Sequence, residues 1–117
     1  IIWAIYGDGA FGYSMVEFDT FSRHNIPVIA IIGNDGGWTQ IARDQVEIFN
    51  DPVATELGHT NYHEVIDKLG GIGYEISEND SVNDVILEAK EKAKLGNSVL
   101  INVKIGKTDF RKGSISV

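Results

Sequence analysis

Two short apolar runs, each ending at a cluster of glycine and acidic residues, constrain the fold of this chain more than any other feature. Residues 1–6 are continuously apolar and stop at Gly-Asp-Gly, residues 7–9. The second run, residues 27–32, is followed by Gly-Asn-Asp-Gly-Gly, residues 33–37. Short runs of β-branched and aromatic residues that end at glycine are typical of strands buried on both faces of a parallel sheet. We therefore expect both clusters at the carboxyl ends of strands, where ligands of such sheets bind.

The segments between and after these runs predict helices alternating with strands. Ser14 and Glu17 have the spacing of a capping box, which predicts a helix from there to about His24. Further patterns predict helices over 38–49, 61–69 and 82–94, and strands over 73–76 and 99–105. Strands alternating with helices predict an α/β fold, a parallel sheet flanked by helices.

Composition excludes several classes of function. The 117 residues carry a net charge of −7, which disfavours nucleic acid as a partner. The absence of cysteine excludes thiolate metal sites and cysteine nucleophiles. The chain starts with an apolar run and without methionine, so we expect a fragment of a longer protein. This leaves the cellular location open between the cytoplasm and a membrane-anchored protein.

The first glycine cluster fits two kinds of phosphate site. Residues 7–12 satisfy G-x-G-x-x-G, the fingerprint of dinucleotide-binding oxidoreductases. Asp8 argues against that function, because a carboxylate beside an uncompensated phosphate costs on the order of 4 kcal/mol at 4 Å and an effective dielectric of 20. A divalent cation between the two groups reverses the sign of this energy. An ordinary glycine-rich turn is the structural alternative.

A magnesium–diphosphate site explains both clusters together. Mg²⁺ prefers oxygen ligands and is commonly held by one or two carboxylates plus phosphate oxygens. Asp8 supplies one carboxylate, Asn34 and Asp35 supply further oxygens, and the carbonyl of Gly36 or Gly37 is available beside them. The glycines of the first cluster let the backbone approach a diphosphate closely.

The spacing of these clusters resembles the thiamine-diphosphate motif, which has Gly-Asp-Gly and a closing Asn-Asn about 26 residues later. The segment G-D-G-A-F-G-Y-S-M-V-E-F-D-T-F-S-R-H-N-I-P-V-I is similar to the acetolactate synthase-like and 2-hydroxyacyl-CoA lyase branch of that superfamily. The resemblance implies a truncated thiamine-diphosphate-binding fold. Residues 1–105 would be the C-terminal part of the diphosphate-binding domain and residues 106–117 a tail.

The resemblance also implies a cofactor site for thiamine diphosphate and Mg²⁺. Its metal ligands would come from Asp8, Asn34, Asp35 and Gly37. Asp35 replaces the family's second asparagine, so either Asp35 or Asn34 would be the next ligand after Asp8. The wider cofactor-binding set would be Gly7, Asp8, Gly9, Ala10, Phe11, Asn34, Asp35 and Gly37.

The implied function is making or cleaving a C–C bond next to a carbonyl carbon of a small-molecule or acyl-CoA substrate. The family's activating glutamate lies in a separate pyrimidine-binding module from a second subunit, so no catalytic residue is assigned in this chain. We expect the fragment alone to be inactive and the intact protein to be a homodimer or homotetramer. The alternatives are a Rossmann-like oxidoreductase fragment and a non-catalytic domain that retains the fold.

Overall fold

The computed structural model describes residues 1–107, which form four strands and five helices. The tail predicted over residues 106–117 therefore lies almost entirely outside the described residues. The elements follow one another as β1 Ile2–Gly7, α1 Asp8–Gly12, α2 Glu17–Arg23, β2 Val28–Asn34, α3 Thr39–Phe49, α4 Tyr62–Lys68, β3 Ile72–Ile76, α5 Val82–Lys94 and β4 Val99–Lys104. Among these residues, no helix is long and apolar enough to cross a membrane.

The four strands form one parallel sheet in the order β1-β2-β4-β3, which confirms the predicted fold class. In β1 and β2, Gly7 lies opposite Gly33, and in β2 and β4, Asn34 lies opposite Lys104. This register brings the carboxyl ends of β1 and β2 side by side. Asp8, the first residue after β1, therefore starts its helix beside Asn34, the last residue of β2.

Each face of the sheet carries its own apolar core. Helices α1, α2 and α4 cover one face through residues such as Phe11, Phe18 and Ile66, each at most 1% exposed. Helix α5 covers the other face through Ala89 and Ala93. Burying a side chain such as Phe11 stabilises the fold by about 1.5–3 kcal/mol. Because both faces are covered, the central strands need the continuous apolar runs seen in the sequence.

The prediction of one helix that begins at a Ser14–Glu17 capping box is wrong. A first helix, α1, starts directly at Asp8, and a turn over residues 13–16 separates it from α2. The Glu17 N–H donates to the backbone carbonyl of Ser14 at 3.0 Å, and the N-cap of α2 is Val16 without a side-chain cap. Because backbone carbonyls of the turn already accept from the first N–H groups of α2, the Ser14 hydroxyl is not needed as a cap.

The other elements begin and end close to the predicted residues. Strand β3 begins one residue earlier than predicted, and β4 ends one residue earlier. The hydroxyl of Ser81 accepts from the Asp84 N–H at 3.4 Å and so caps α5. Asn61 is the N-cap of α4, but its side chain donates to the Glu64 carboxylate at 3.1 Å rather than capping the backbone.

Candidate functional site

The predicted site residues meet at the carboxyl edge of the sheet. Asp8 is the first residue of α1 and is 1% exposed, and Asn34 ends β2 at 0% exposure. Asp35 follows and is half-buried, while Gly37 is buried in the loop before α3. All four predicted metal ligands thus lie at or just after the carboxyl ends of two adjacent strands, β1 and β2. A fully buried aspartate and asparagine at this edge are unusual, because such groups are mostly exposed unless they are paired.

A hydrogen bond joins Asp8 to the loop that follows β2. The Gly37 N–H donates to Oδ2 of Asp8 at 3.1 Å. A Cβ at position 37 would lie 3.0 Å from the Thr55 carbonyl oxygen, so a side chain there would press on the backbone. Gly37 therefore lets its loop pass between Asp8 and the segment that contains Thr55.

Two neighbouring acidic groups give the site its electrostatic character. Burial raises the pKa of the Asp8 carboxyl above 3.8, and the charge of Asp35 raises it further. The N–H groups of Gly9 and Gly37 oppose these effects by donating to the carboxylate. The Thr39 hydroxyl donates to Oδ2 of Asp35 at 2.5 Å. A divalent cation here would offset both the burial of Asp8 and its repulsion from Asp35.

Asn34 contributes a buried oxygen that lacks a partner. Its Nδ2 donates to the Thr60 carbonyl at 3.0 Å and to Oδ1 of Asn102 at 3.1 Å. Its own Oδ1 is buried and accepts no hydrogen bond from residues 1–107. A buried acceptor without a partner costs about 1–3 kcal/mol, so it points to an additional ligand at this position.

These donors fit Mg²⁺. They comprise two carboxylates, an amide oxygen and a backbone carbonyl, which are the hard oxygen ligands that Mg²⁺ prefers. No group of three or more histidine, aspartate or glutamate side chains in the described part of the chain is placed to hold a metal. A cation at this edge would therefore need the amide and carbonyl oxygens to complete its coordination.

A cleft of ≈ 290 Å³ opens beside Asp8 and provides space for a ligand. Trp38 lies over Gly9, where a Cβ would approach three atoms of the indole ring to 2.7–2.9 Å. The centroids of the Trp38 and Tyr13 rings are 5.9 Å apart. The residues that line this cleft are Asp8, Gly9, Gly12, Tyr13, Trp38, Leu57 and Tyr62.

The remaining members of the predicted cofactor set have different surroundings. Gly7 caps α1 in an extended conformation, and Ala10 is exposed. The Phe11 ring is buried among Tyr6, Phe18 and Tyr62, so a contact between Phe11 and a cofactor would involve its backbone.

Sequence reasoning missed the residues behind Asn34, namely Thr60, His63 and Asn102. Nδ2 of Asn102 lies 3.3 Å from both the Thr60 carbonyl and Nδ1 of His63. Asn102 carried one recognisable signal, because it is a polar residue in an otherwise apolar strand. Its contact with Asn34 spans 68 positions of the chain, which no local pattern reveals.

Comparisons with known proteins show which sequences and structures this chain is similar to. A sequence model of the family described as "Thiamine pyrophosphate enzyme, C-terminal TPP binding domain" matches residues 1–103. The chain is 52% identical over 118 residues to a 2-hydroxyacyl-CoA lyase 2 of Danio rerio and 51% identical to one of Homo sapiens. Each alignment covers 99% of this chain and 19% of the relative, so the chain spans about a fifth of their length.

Two further proteins are similar to this chain at lower sequence identity. An acetolactate synthase large subunit of Mycobacterium tuberculosis is 43% identical over 72 residues, covering 61% of this chain and 13% of that protein. The solved structure of a Rhodococcus jostii thiamine diphosphate-dependent 4-hydroxybenzoylformate decarboxylase superposes with a TM-score of 0.75 at 19% identity. That superposition covers 92% of this chain and 20% of the other, and it shows a shared fold.

Proposed function

We propose, from the premise that this chain belongs to the C-terminal TPP-binding domain family of the thiamine pyrophosphate enzymes, that its site binds the diphosphate of thiamine diphosphate through Mg²⁺. The family match confirms the resemblance inferred from the sequence and gives the dinucleotide-binding alternative no support. The observation that carries the metal proposal is the buried Asp8 carboxylate beside the unpartnered Asn34 oxygen. A dication satisfies both groups at once.

The four predicted ligands would offer this cation two kinds of oxygen, charged and neutral. Asp8 and Asp35 supply negative charge, while Asn34 Oδ1 and the Gly37 carbonyl supply neutral oxygens. Phosphate oxygens of the cofactor would complete the oxygen coordination that Mg²⁺ prefers. Asp35 carries a charge where the family's asparagine has none, so we expect tighter metal binding from this chain.

The protein positions the cofactor rather than reacting itself. The chemistry supplied by bound thiamine diphosphate is a stabilised carbanion that attacks a carbonyl carbon. The Gly37 N–H holds the Asp8 carboxylate, and Thr39 holds that of Asp35, so both acids are oriented before the metal arrives. Trp38 and Tyr13 line the cleft beside Asp8 and offer aromatic surface to a ligand there.

The intact protein, on this proposal, is a 2-hydroxyacyl-CoA lyase-like enzyme that cleaves a C–C bond next to a carbonyl. The relatives named 2-hydroxyacyl-CoA lyase 2 match 99% of this chain at about half identity, whereas the acetolactate synthase matches 61%. We propose that a pyrimidine-binding module of a second subunit completes the cofactor site. The module described here would then be inactive alone.

Isothermal titration calorimetry on the intact protein tests the cofactor. We expect thiamine diphosphate to bind only with Mg²⁺, and Asp8→Ala to weaken binding at least about 100-fold because the metal loses a charged ligand. Asp84→Ala, which removes an exposed carboxylate in the first turn of α5, serves as the matched control and should bind like the wild type. Binding of NADH without metal would contradict the proposal. Failure of the wild type to bind either cofactor would favour a non-catalytic domain.

A further inference from the structure

A buried cluster of polar groups surrounds Asn34 at the end of β2, on the side towards β4. We call it the amide cluster, and it consists of Asn34, Asn102, His63 and the backbone carbonyl of Thr60. Asn34 and Asn102 are both 0% exposed, and His63 has a side chain that is 17% exposed. The cluster joins β2, β4, the first turn of α4 and the loop before it. The proposed function assigns no role to Asn102, His63 or Thr60.

The Thr60 carbonyl fixes the direction of the hydrogen bonds in this cluster. A carbonyl oxygen can only accept, and it lies 3.0 Å from Nδ2 of Asn34 and 3.3 Å from Nδ2 of Asn102. Both amides must therefore turn their NH₂ groups towards Thr60. Oδ1 of Asn102 then accepts from Asn34, and Nδ2 of Asn102 donates to Nδ1 of His63.

This direction determines which atom of Asn34 is left for a ligand. Both N–H groups of its Nδ2 are used by Thr60 and Asn102, on the β4 side of β2. Strand β1, which leads into Asp8, lies on the opposite side of β2. Because Oδ1 and Nδ2 occupy different arms of the planar amide, Oδ1 is the atom of Asn34 that has no hydrogen-bond partner among residues 1–107. A flipped amide would present N–H groups to the metal instead.

His63 is held in place by its own neighbours. The main chain of His63 packs directly on Gly73 of β3, where a Cβ would lie 2.1 Å from the His63 carbonyl oxygen. Nδ1 of His63 also lies 3.6 Å from the Glu75 carboxylate, but it has no hydrogen to donate to Glu75 while it accepts from Asn102, and Glu75 pairs instead with Nζ of Lys104 at 2.9 Å. The exposed Glu64 carboxylate is 3.9 Å from Nε2. The backbone contact with β3 therefore fixes the position of the acceptor for Asn102.

We infer that Asn102, supported by His63, is a positioning residue that keeps the Asn34 carbonyl oxygen, rather than its NH₂ group, turned towards Mg²⁺. The inference rests on the proposed function. It adds that metal affinity depends on a residue that is not itself a ligand. Outer-shell partners of this kind typically change metal affinity 10- to 100-fold when they are removed.

Two substitutions of similar size separate positioning from packing. Asn102→Leu removes the acceptor for Asn34, so we expect the dissociation constant for Mg²⁺, measured calorimetrically on the intact protein with saturating thiamine diphosphate, to rise at least about 10-fold. Asn102→Asp keeps an oxygen that accepts from Asn34 but places a second oxygen opposite the Thr60 carbonyl, so it should recover only part of this loss. His63→Leu removes the acceptor that holds the Asn102 amide, so it should weaken Mg²⁺ binding measurably, although less than Asn102→Leu does.

Ser98→Ala provides the control for lost stability. Ser98 is a buried polar residue directly before the same strand, and it donates to the Ile26 carbonyl at 2.7 Å, at the other end of the sheet. We expect it to lower the melting temperature while leaving Mg²⁺ affinity unchanged. Unchanged Mg²⁺ affinity in Asn102→Leu would overturn the inference. Should that variant not fold, unchanged affinity in His63→Leu would overturn it. A wild type that binds neither Mg²⁺ nor thiamine diphosphate would instead overturn the proposed function.

Discussion

Gly73 controls how closely α4 packs on β3, and replacing it with alanine is the sharpest test of this packing. An added Cβ would lie 2.1 Å from the carbonyl oxygen of His63, 2.6 Å from its carbonyl carbon and 2.7 Å from its Cα. All three atoms belong to the backbone, so no side-chain rotation relieves the overlap. The first turn of α4 would have to move away from the sheet.

The size of the effect follows from these distances. Carbon atoms pack favourably at about 3.5–4.0 Å, so α4 must retreat by more than about 1 Å. Overpacking a core by a methyl group usually costs about 1–3 kcal/mol, and a rigid backbone neighbour places this site at the upper end. We therefore expect Gly73→Ala to destabilise the packing of α4 on β3 by about 3 kcal/mol.

Hydrogen–deuterium exchange measures this local loss in the intact protein. Because about 1.4 kcal/mol corresponds to a factor of ten, amides of α4 and β3 should exchange on the order of 100-fold faster in the variant. Gly58→Ala is the control, since its Cβ would meet nothing within 4 Å and its backbone is not left-handed. Exchange of α4 and β3 in Gly73→Ala within threefold of this control would refute the reasoning.

Two further predictions concern Asp8 and Gly9, at the start of α1. The raised pKa of Asp8 means that this carboxyl stabilises the metal-free fold below pH 3.8 and that this contribution is lost as pH rises through its folded pKa. In urea titrations with EDTA present, Asp8→Asn should therefore have a larger free energy of unfolding than the wild type at pH 7. This difference should become smaller as the pH is lowered. A wild type that is more stable than the variant at pH 7 would contradict the prediction. Gly9→Ala should displace the Trp38 indole, because the new methyl group overlaps the ring. It should lower the free energy of unfolding by about 1–3 kcal/mol and change the tryptophan emission spectrum. Adding Trp38→Ala to that variant should recover part of the stability, and strictly additive losses would argue against the contact.

The sequence predicted the strands and the proximity of Asp8 to Asn34. Both results follow from the local apolar pattern and from the rule that a strand–helix–strand unit has parallel strands. An apolar run as short as residues 28–32 has the length of a strand rather than of a helix. Two strands of one sheet that are joined through a helix run parallel to each other. Once they are parallel and adjacent, Asp8 and Asn34 must end at the same edge. The register of Gly7 with Gly33 completes that result.

What could not be predicted depends on contacts between distant segments. The Ser14–Glu17 spacing satisfied a local rule, but α1 begins earlier, and turn carbonyls already accept from the N–H groups that the box would serve. The bond from Asn34 to Asn102 exists because β4 enters the sheet between β2 and β3. Neither the alternation of elements nor the composition specifies that strand order.

The burial of Asp8 favours the proposed cation site over an ordinary glycine-rich turn. Aspartate is common in turns because its side chain bonds to the local backbone while remaining in water. Asp8 instead is 1% exposed and receives the Gly37 N–H from 29 positions away, beside a second carboxylate that raises its pKa. An asparagine at this position would accept the same hydrogen bond without the electrostatic cost. The metal-free fold therefore gains nothing from the charge, which supports the proposal that a bound cation makes a charged residue at position 8 favourable.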